Sequence, residues 1–365
     1  MVAQAGIEPS PAEGELEEER LRLQAIRSAV ALAGGEPRGG LAAMPRPAEL
    51  RVLAASRLDS IAYLQFQPDH PVQQLYDAIW LAQQAVVERF VEAAAAAGLV
   101  VLPVQGIEKN ARYLRGHSLN RRGDLDFIVR AEDLPALARI AESQGFRQAA
   151  IAHEGGFLPL TAEQMGMGLA ASGMEYQREY PFHGFMPFVA PERMLARIPQ
   201  ALNPLRRVGS KVELILALDM MTAYHESAPA PLHWERLRAS GFRGAQTQAA
   251  ELDLLFSAHR LYQKLAVAPG PHVTRMLAEL VLVLVAEPDL DWEFLESAAM
   301  TCRMGAAAYY GLGTAAALIG HPSLHFIETR LANHADGSIR DEGWLPARLF
   351  PAGLLAAEMP DWLIR

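Results

Sequence analysis

Basic charge is scarce in this 365-residue chain: 33 Lys and Arg stand against 42 Asp and Glu, a formal net charge of −9. A protein that coats nucleic acid carries the opposite balance, because its affinity comes from cations on phosphates. Long nucleic acid is therefore not the expected partner, although a local basic patch over one small substrate is compatible with the total. Cysteine is almost absent. The single Cys302, in the apolar run Ala298-Ala299-Met300-Thr301-Cys302, excludes a disulfide framework and reads as a packing residue in a reducing, cytoplasmic compartment. Long hydrophobic runs are missing too. The longest, near Met276 to Ala286, falls far short of the roughly 20 residues a membrane span needs, so no membrane partner is expected. The opening MVAQAGIEPSPAEGELEEER has neither a basic n-region nor an apolar h-region and does not read as a signal peptide. No Walker A loop, Gly-x-Gly-x-x-Gly or Gly-x-Ser-x-Gly is present. His321 and His325 have the spacing of a helical metal pair, but Pro322 lies between them and no third zinc ligand follows.

What is present is a large apolar fraction, 51% of residues, enough for a substantial core. The pattern predicts a helical N-terminal arm over 1–97, with helices over about 15–32, 48–62 and 71–97, the last closed by Gly98 as a left-handed cap. The character then changes. Leu99 to Val104 reads as a buried strand, Ile107 to Leu114 as a helix and Leu125 to Val129 as a second strand. Asp133 to Gly145 reads as another helix, and strands are expected at about 146–152 and 174–180. From Pro191 on the pattern predicts helices only, over 192–199, 209–226, 233–240, 246–267, 272–286, 291–304 and 345–357. The expected class is α+β: a small mixed-sheet core at 98–190 between the arm and an all-helical C-terminal domain at 191–365.

The segment Gly123-Asp124-Leu125-Asp126-Phe127-Ile128-Val129 carries the chemistry. In a strand, side chains at i and i+2 share a face, so Asp124 and Asp126 project together. Their repulsion is relieved by a divalent cation between them or by protonation of one. Mg²⁺ prefers a few carboxylates plus substrate phosphates, which suits this pair; a solvated strand edge is the competing reading. Upstream, a strand, Gln105-Gly106 and a helix follow in order, which places backbone N–H groups at a helix N-terminus where a phosphate can rest. Lys109 and Arg112 lie one turn apart on that helix, and Arg121 and Arg122 precede the acids; the arginines serve either phosphate binding or neutralisation of nearby acids. A third acid is expected on an adjacent strand. Glu175 is its first candidate and Glu179, on the same strand face, the second; a solvent-facing strand Glu is the alternative. His183, in the turn-rich Tyr180-Pro181-Phe182-His183-Gly184-Phe185, reads as lining an acceptor pocket or as a surface-turn histidine.

The runs VVLPVQGIEKNARYL and RRGDLDFIVRAEDLPALARIAESQGF resemble the polymerase-β nucleotidyltransferases, nearest the group called uncharacterised nucleotidyltransferases. That group has an apolar strand ending in Lys-Gly, a short helix, an Arg-containing loop, Asp-x-Asp-Leu-Leu-Val and a helix ending in Gly-Tyr or Gly-Phe. Here Gly106 matches the glycine, Asp124 and Asp126 the acids, and Gly145-Phe146 the end. GSKVELILALDMMTAYHE followed by LHWERL is similar to the family's Leu-rich helix with a histidine and the following Trp-x-x-Leu. Gln105 replaces the usual Lys, and the Gly-Ser of other members is absent, so Lys109 would reach the triphosphate from the next turn. The resemblance implies Mg²⁺ or Mn²⁺, an NTP donor and transfer of a nucleoside monophosphate with release of pyrophosphate. With the residues read above, Asp124, Asp126 and Glu175 are the expected metal ligands, and Gly106, Lys109, Arg121 and Arg122 the expected nucleotide contacts. The acceptor would be a hydroxyl or similar group on a small molecule, peptide or protein. A non-catalytic nucleotide-binding or toxin–antitoxin protein on the same scaffold is the second reading.

Overall fold

The computed structural model describes residues 11–152, 156–161, 182–189, 201–202, 204–225, 227–267, 270, 273–334, 349–352, 354, 359–360 and 363. Glu175, Glu179, the strand expected over 174–180, the helix expected over 192–199 and most of that expected over 345–357 lie outside them. Two compact units form: Pro68–Phe256 with Thr301–Arg303, and Met1–Gln67 with Ser257–Met300 and Met304–Arg365. Among the described residues no helix is long and apolar enough to cross a membrane.

The second of these units is helical. Helix α1 (Pro11–Leu32) packs on the helix Thr274–Ala286, while α2 (Pro47–Ala55) and α3 (Asp59–Phe66) split the single helix expected over 48–62. The split falls at Arg57, which has φ +57°.

The unit Pro68–Phe256 is a mixed α/β layer. Helix α4 (Pro71–Ala96) starts where His70 accepts the Val72 N–H, and ends before Gly98, whose φ of +73° gives the expected left-handed cap. Then follow β1 (Leu102–Pro103), α5 (Gln105–Tyr113), β2 (Asp124–Ile128), α6 (Leu134–Ser143), β3 (Arg147–Gln148), β4 (Ala150–Ile151), β5 (Phe157–Leu158), β6 (Phe182–Pro187), β7 (Ala201–Leu202), β8 (Leu205–Val208), β9 (Lys211–Met221), β10 (Leu237–Ala239) and β11 (Gln246–Gln248). The main sheet runs β1-β2-β9-β6-β3, and β8 joins β9 on the edge that β2 takes further along. Among the described residues only the β2–β9 pair is parallel.

The helix expected over 209–226 is therefore strand β9, the centre of the sheet. Likewise the helix expected over 233–240 is a single turn, Leu232–Glu235, followed by β10, and that expected over 246–267 begins as β11 before the helix Ala250–Val267. The sheet thus draws on residues beyond 190, where only helices were expected. The physical reason lies in the burial period. Val212, Leu214, Leu216, Leu218 and Met220 are buried, whereas Lys211, Glu213, Ile215, Ala217 and Asp219 are not. A one-residue slip would expose the whole first set, each side chain worth about 1.5–3 kcal/mol of burial. Leu, Ala, Met and Glu are good helix formers, but tertiary packing overrides that weak preference.

The buried set, with Leu125, Phe127 and Val129 of β2, packs under α4 and α6. Phe90 of α4 meets Phe127 at a centroid distance of 5.1 Å. Among the described residues the opposite sheet face carries an apolar cluster at one end, where Leu102, Val104, Ile128 and Met221 pack with Trp234 and Leu237. The rest of that face carries the polar side chains.

Candidate active site

Register decides which polar groups meet. Across the parallel pair, Asp124 stands opposite Ala217 and Asp126 opposite Asp219. Across the antiparallel pair, His183 of β6 stands opposite the same Ala217. Paired residues point to the same side of a sheet, and neighbouring strands lie about 4.8 Å apart. Asp124, Asp126, Asp219 and His183 thus share one face, with the small Ala217 between Asp124 and His183. Asp126 is only 7% exposed, Asp219 is half-buried and Asp124 is exposed. The strand and shared face expected for Asp124 and Asp126 are present. Asp219 was missed; its signal was Leu218-Asp219-Met220 closing a period-2 run, hidden by the helical reading.

His183 Nδ1 lies 2.8 Å from the Ala149 carbonyl oxygen. Burial lowers its pKa, while the bond to Ala149 and the charge of Asp124 work in the opposite direction.

Beside this face, β1 turns into α5. The Val104 N–H donates to the Asp126 carbonyl at 3.0 Å, and Gln105 follows with φ +57°. Gly106 sits in the first turn of α5, and its missing side chain is filled by Arg122: a Cβ there would lie 1.7 Å from Arg122 Nη1. The guanidinium is thereby held over the α5 N-terminus. The loop that carries it is anchored: Gln83 Nε2 donates to the Arg122 carbonyl at 2.6 Å, Asp77 accepts the Ser118 N–H at 3.0 Å, and Asn110 Nδ2 donates to Ser118 Oγ at 3.0 Å. Arg121 is exposed.

Lys109 is placed differently from expectation. Its ammonium lies 3.6 Å from Asp253 Oδ1, both side chains nearly fully buried, instead of standing free toward a phosphate. Arg112 likewise turns to Glu108 at 2.9 Å and to the Ala239 carbonyl. Glu108 also accepts the Gly241 N–H at 3.0 Å. These contacts fix α5 against the segment that follows β10, so the Gly106–Arg122 corner is rigidly presented. A cleft of about 370 Å³ opens where β2 and β9 end, lined in part by Arg130, Thr222, Trp234 and Glu235. The Arg130 guanidinium lies 4.4 Å from the Trp234 ring centroid. Along the strands, Ile128 and Met221 separate this cleft from the carboxylates.

Residues 49–320 match the model of the family described as uncharacterised nucleotidyltransferase. The chain belongs to that family. Enzymes of this class transfer nucleoside monophosphates, generally from an NTP and with a divalent metal ion. No curated protein and no solved structure matches the chain.

The acids of this nucleotidyltransferase offer only oxygen donors, the chemistry that a hard cation such as Mg²⁺ selects. Among the described residues no three His, Cys, Asp or Glu side chains are already gathered as an ion site. Asp124, Asp126 and Asp219 share one face of two adjacent strands.

Proposed function

We propose that this nucleotidyltransferase moves a nucleoside monophosphate from an NTP to a hydroxyl on a small molecule, peptide or protein and releases pyrophosphate. The observation that carries the reading is the pairing of Asp126 with Asp219 beside Asp124 on one sheet face. Asp124, Asp126 and Asp219 would hold Mg²⁺ or Mn²⁺. Glu175, outside the described residues, is the competing third ligand. When bound, the metal supplies neutralisation of developing charge on the phosphates and the acceptor oxygen.

The protein's own part is positioning. Two carboxylates about 4 Å apart repel by about 1 kcal/mol in water and about 4 at an effective dielectric near 20. Asp126 and Asp219 are held side by side by the ladder regardless, which prepares a site of concentrated negative charge. A few residues away, the α5 N-terminus and the Arg122 guanidinium both favour an anion, and they would take the triphosphate. Arg121 would add a contact from the loop. Lys109 would support this corner through Asp253 and not touch the phosphate itself. The acidic total of the chain supports a small molecule or protein acceptor over long nucleic acid.

The test is direct. Each α-³²P-labelled NTP is incubated with the full chain and Mg²⁺ or Mn²⁺, and pyrophosphate and labelled product are followed. Metal-dependent release that disappears in Asp126→Asn supports the reading; no release from any NTP with either metal, even with cell extract as acceptor source, overturns it.

A further inference from the structure

We infer that His183 is the base of the transfer reaction: its Nε2 takes the proton of the acceptor hydroxyl. This rests on the proposed function and names the group that handles the acceptor.

Three observations place it. First, the register Asp124–Ala217–His183 puts the imidazole on the carboxylate face, two strands from Asp124. At about 4.8 Å per strand, that is about 10 Å between backbones, room for a reacting group between the side chains. Ala217 offers no side chain that would fill the gap. Second, the face is open there: Asp124 is exposed and both Ala217 and His183 are only half-buried. Third, the tautomer is fixed. A carbonyl oxygen only accepts, so the 2.8 Å contact to Ala149 requires the proton on Nδ1. Neutral His183 then carries its lone pair on Nε2, the arrangement in which one ring nitrogen is oriented by a backbone carbonyl and the other is free to act.

The charged neighbours on this face among the described residues include Asp124, Asp126, Asp219 and Arg147, with Glu213 paired to Arg206 further along β9. Arg147 pairs with His183 across β3 and β6, but its guanidinium turns back to the Glu142 and Phe146 carbonyls. The step balances. The acceptor O–H proton passes to Nε2, the freed oxygen lone pair forms the bond to the α-phosphorus, and the bond to the bridging oxygen breaks with its electrons leaving in pyrophosphate. The imidazolium then returns its proton to solvent.

Water serves as the probe acceptor, so the test does not need the natural one. Metal-dependent conversion of α-³²P-NTP to the nucleoside monophosphate is measured for wild type, His183→Ala and His183→Asn. Asn is chosen because its side-chain amide can still donate to the Ala149 carbonyl while nothing stands at Nε2. Both variants should lose about a hundredfold or more, the usual share of a positioned base. Added imidazole should restore a large part of the rate in His183→Ala. Binding of a fluorescent NTP analogue should be unchanged in both. In ¹⁵N spectra of the wild type, His183 should show a pyrrole-type Nδ1 and a pyridine-type Nε2. Wild-type rates in His183→Asn, or a protonated Nε2 in the neutral ring, would overturn the assignment and leave the transfer reading intact. No hydrolysis by wild type, with no transfer to extract either, would instead remove the transfer reading and this proposal with it.

Discussion

Asp126 and Asp219 stand opposite each other on the parallel pair of strands β2 and β9 in the main sheet. They come from distant parts of the chain, and their side chains share a face because both strands alternate in phase. Asp126→Asn and Asp219→Asn each keep shape and remove one charge. Both should fold and lose transfer by at least a hundredfold. A saturating ligand at about a hundred times its dissociation constant stabilises a protein by about 2.7 kcal/mol, so wild type should gain that much from metal plus NTP in a thermal-shift titration. The variants should gain little. Glu175→Gln is the control: full activity there with none in Asp219→Asn settles the third ligand, and the reverse result returns it to Glu175.

Gly106 and Arg122 give a second prediction. A methyl at Gly106 would collide with the far end of a flexible side chain, 1.7 Å from Nη1 and 2.4 Å from Cζ. The guanidinium can move away, so Gly106→Ala should change stability by less than about 1 kcal/mol. NTP affinity should fall by about 1.5–3 kcal/mol, the range for a charge-assisted hydrogen bond. Arg122→Ala should fall by a similar amount, and the double variant no further, since both remove the same contact. Additive losses in isothermal titration would show that Arg122 does not act from over Gly106.

The first half of this site was legible in sequence because its signals are local. Asp124-Leu125-Asp126 needs only the period of one strand, and Gly106 needs only the strand–turn–helix order. The central strand was not legible. Leu214-Ile215-Leu216 blurs its alternation, since Ile215 lies on the half-open face, and the residues around it favour helix wherever packing does not decide. A helical pattern over β9 gives Asp219 no strand beside Asp126, and Glu175 then stands as the candidate third acid. The pairing of Lys109 with Asp253 was not legible for a related reason. Charge and spacing showed a cation near the phosphate corner, but its partner Asp253 lies far along the chain, and no local pattern records that pairing.

That pair carries the third prediction. Lys109→Met leaves the Asp253 carboxylate buried without its cation, which costs about 3–5 kcal/mol. Lys109→Met with Asp253→Leu should regain most of it, because an apolar pair can replace a buried ion pair at little cost. Urea midpoints of the wild type, the single variant and the double variant measure both effects. In the double variant NTP affinity should stay near wild type. A drop there, with the fold intact, would restore the direct phosphate contact expected for Lys109.

His233 links stability to pH. It is fully buried, with Nδ1 2.9 Å from Gln248 Oε1 and Nε2 accepting the Tyr224 N–H at 3.2 Å. Its ring also packs on Phe256, at a centroid distance of 5.1 Å. The contact to Tyr224 needs the neutral ring, because a proton on Nε2 would break it, whereas Nδ1–H donates to Gln248 in either charge state. Burial lowers the pKa below the ordinary 6.5, and the bond to Gln248 opposes the shift without cancelling it. The unfolded chain therefore binds this proton more readily than the folded one. Stability is complete above the ordinary histidine value and is lost as pH falls below it, by up to about 1.4 kcal/mol per pH unit until the folded pKa is reached. His183 and His321 are shifted the same way by burial, so the wild-type slope is a sum. His233→Gln isolates one share. The variant should be less stable at about pH 7.5, where the neutral ring's packing is lost, and should close much of that gap at about pH 5.5, where the wild type carries the protonation penalty. Urea unfolding at both values measures it. A gap that stays constant between them would mean that His233 titrates alike in the folded and unfolded chain, and that the bond to Tyr224 does not hold the ring neutral.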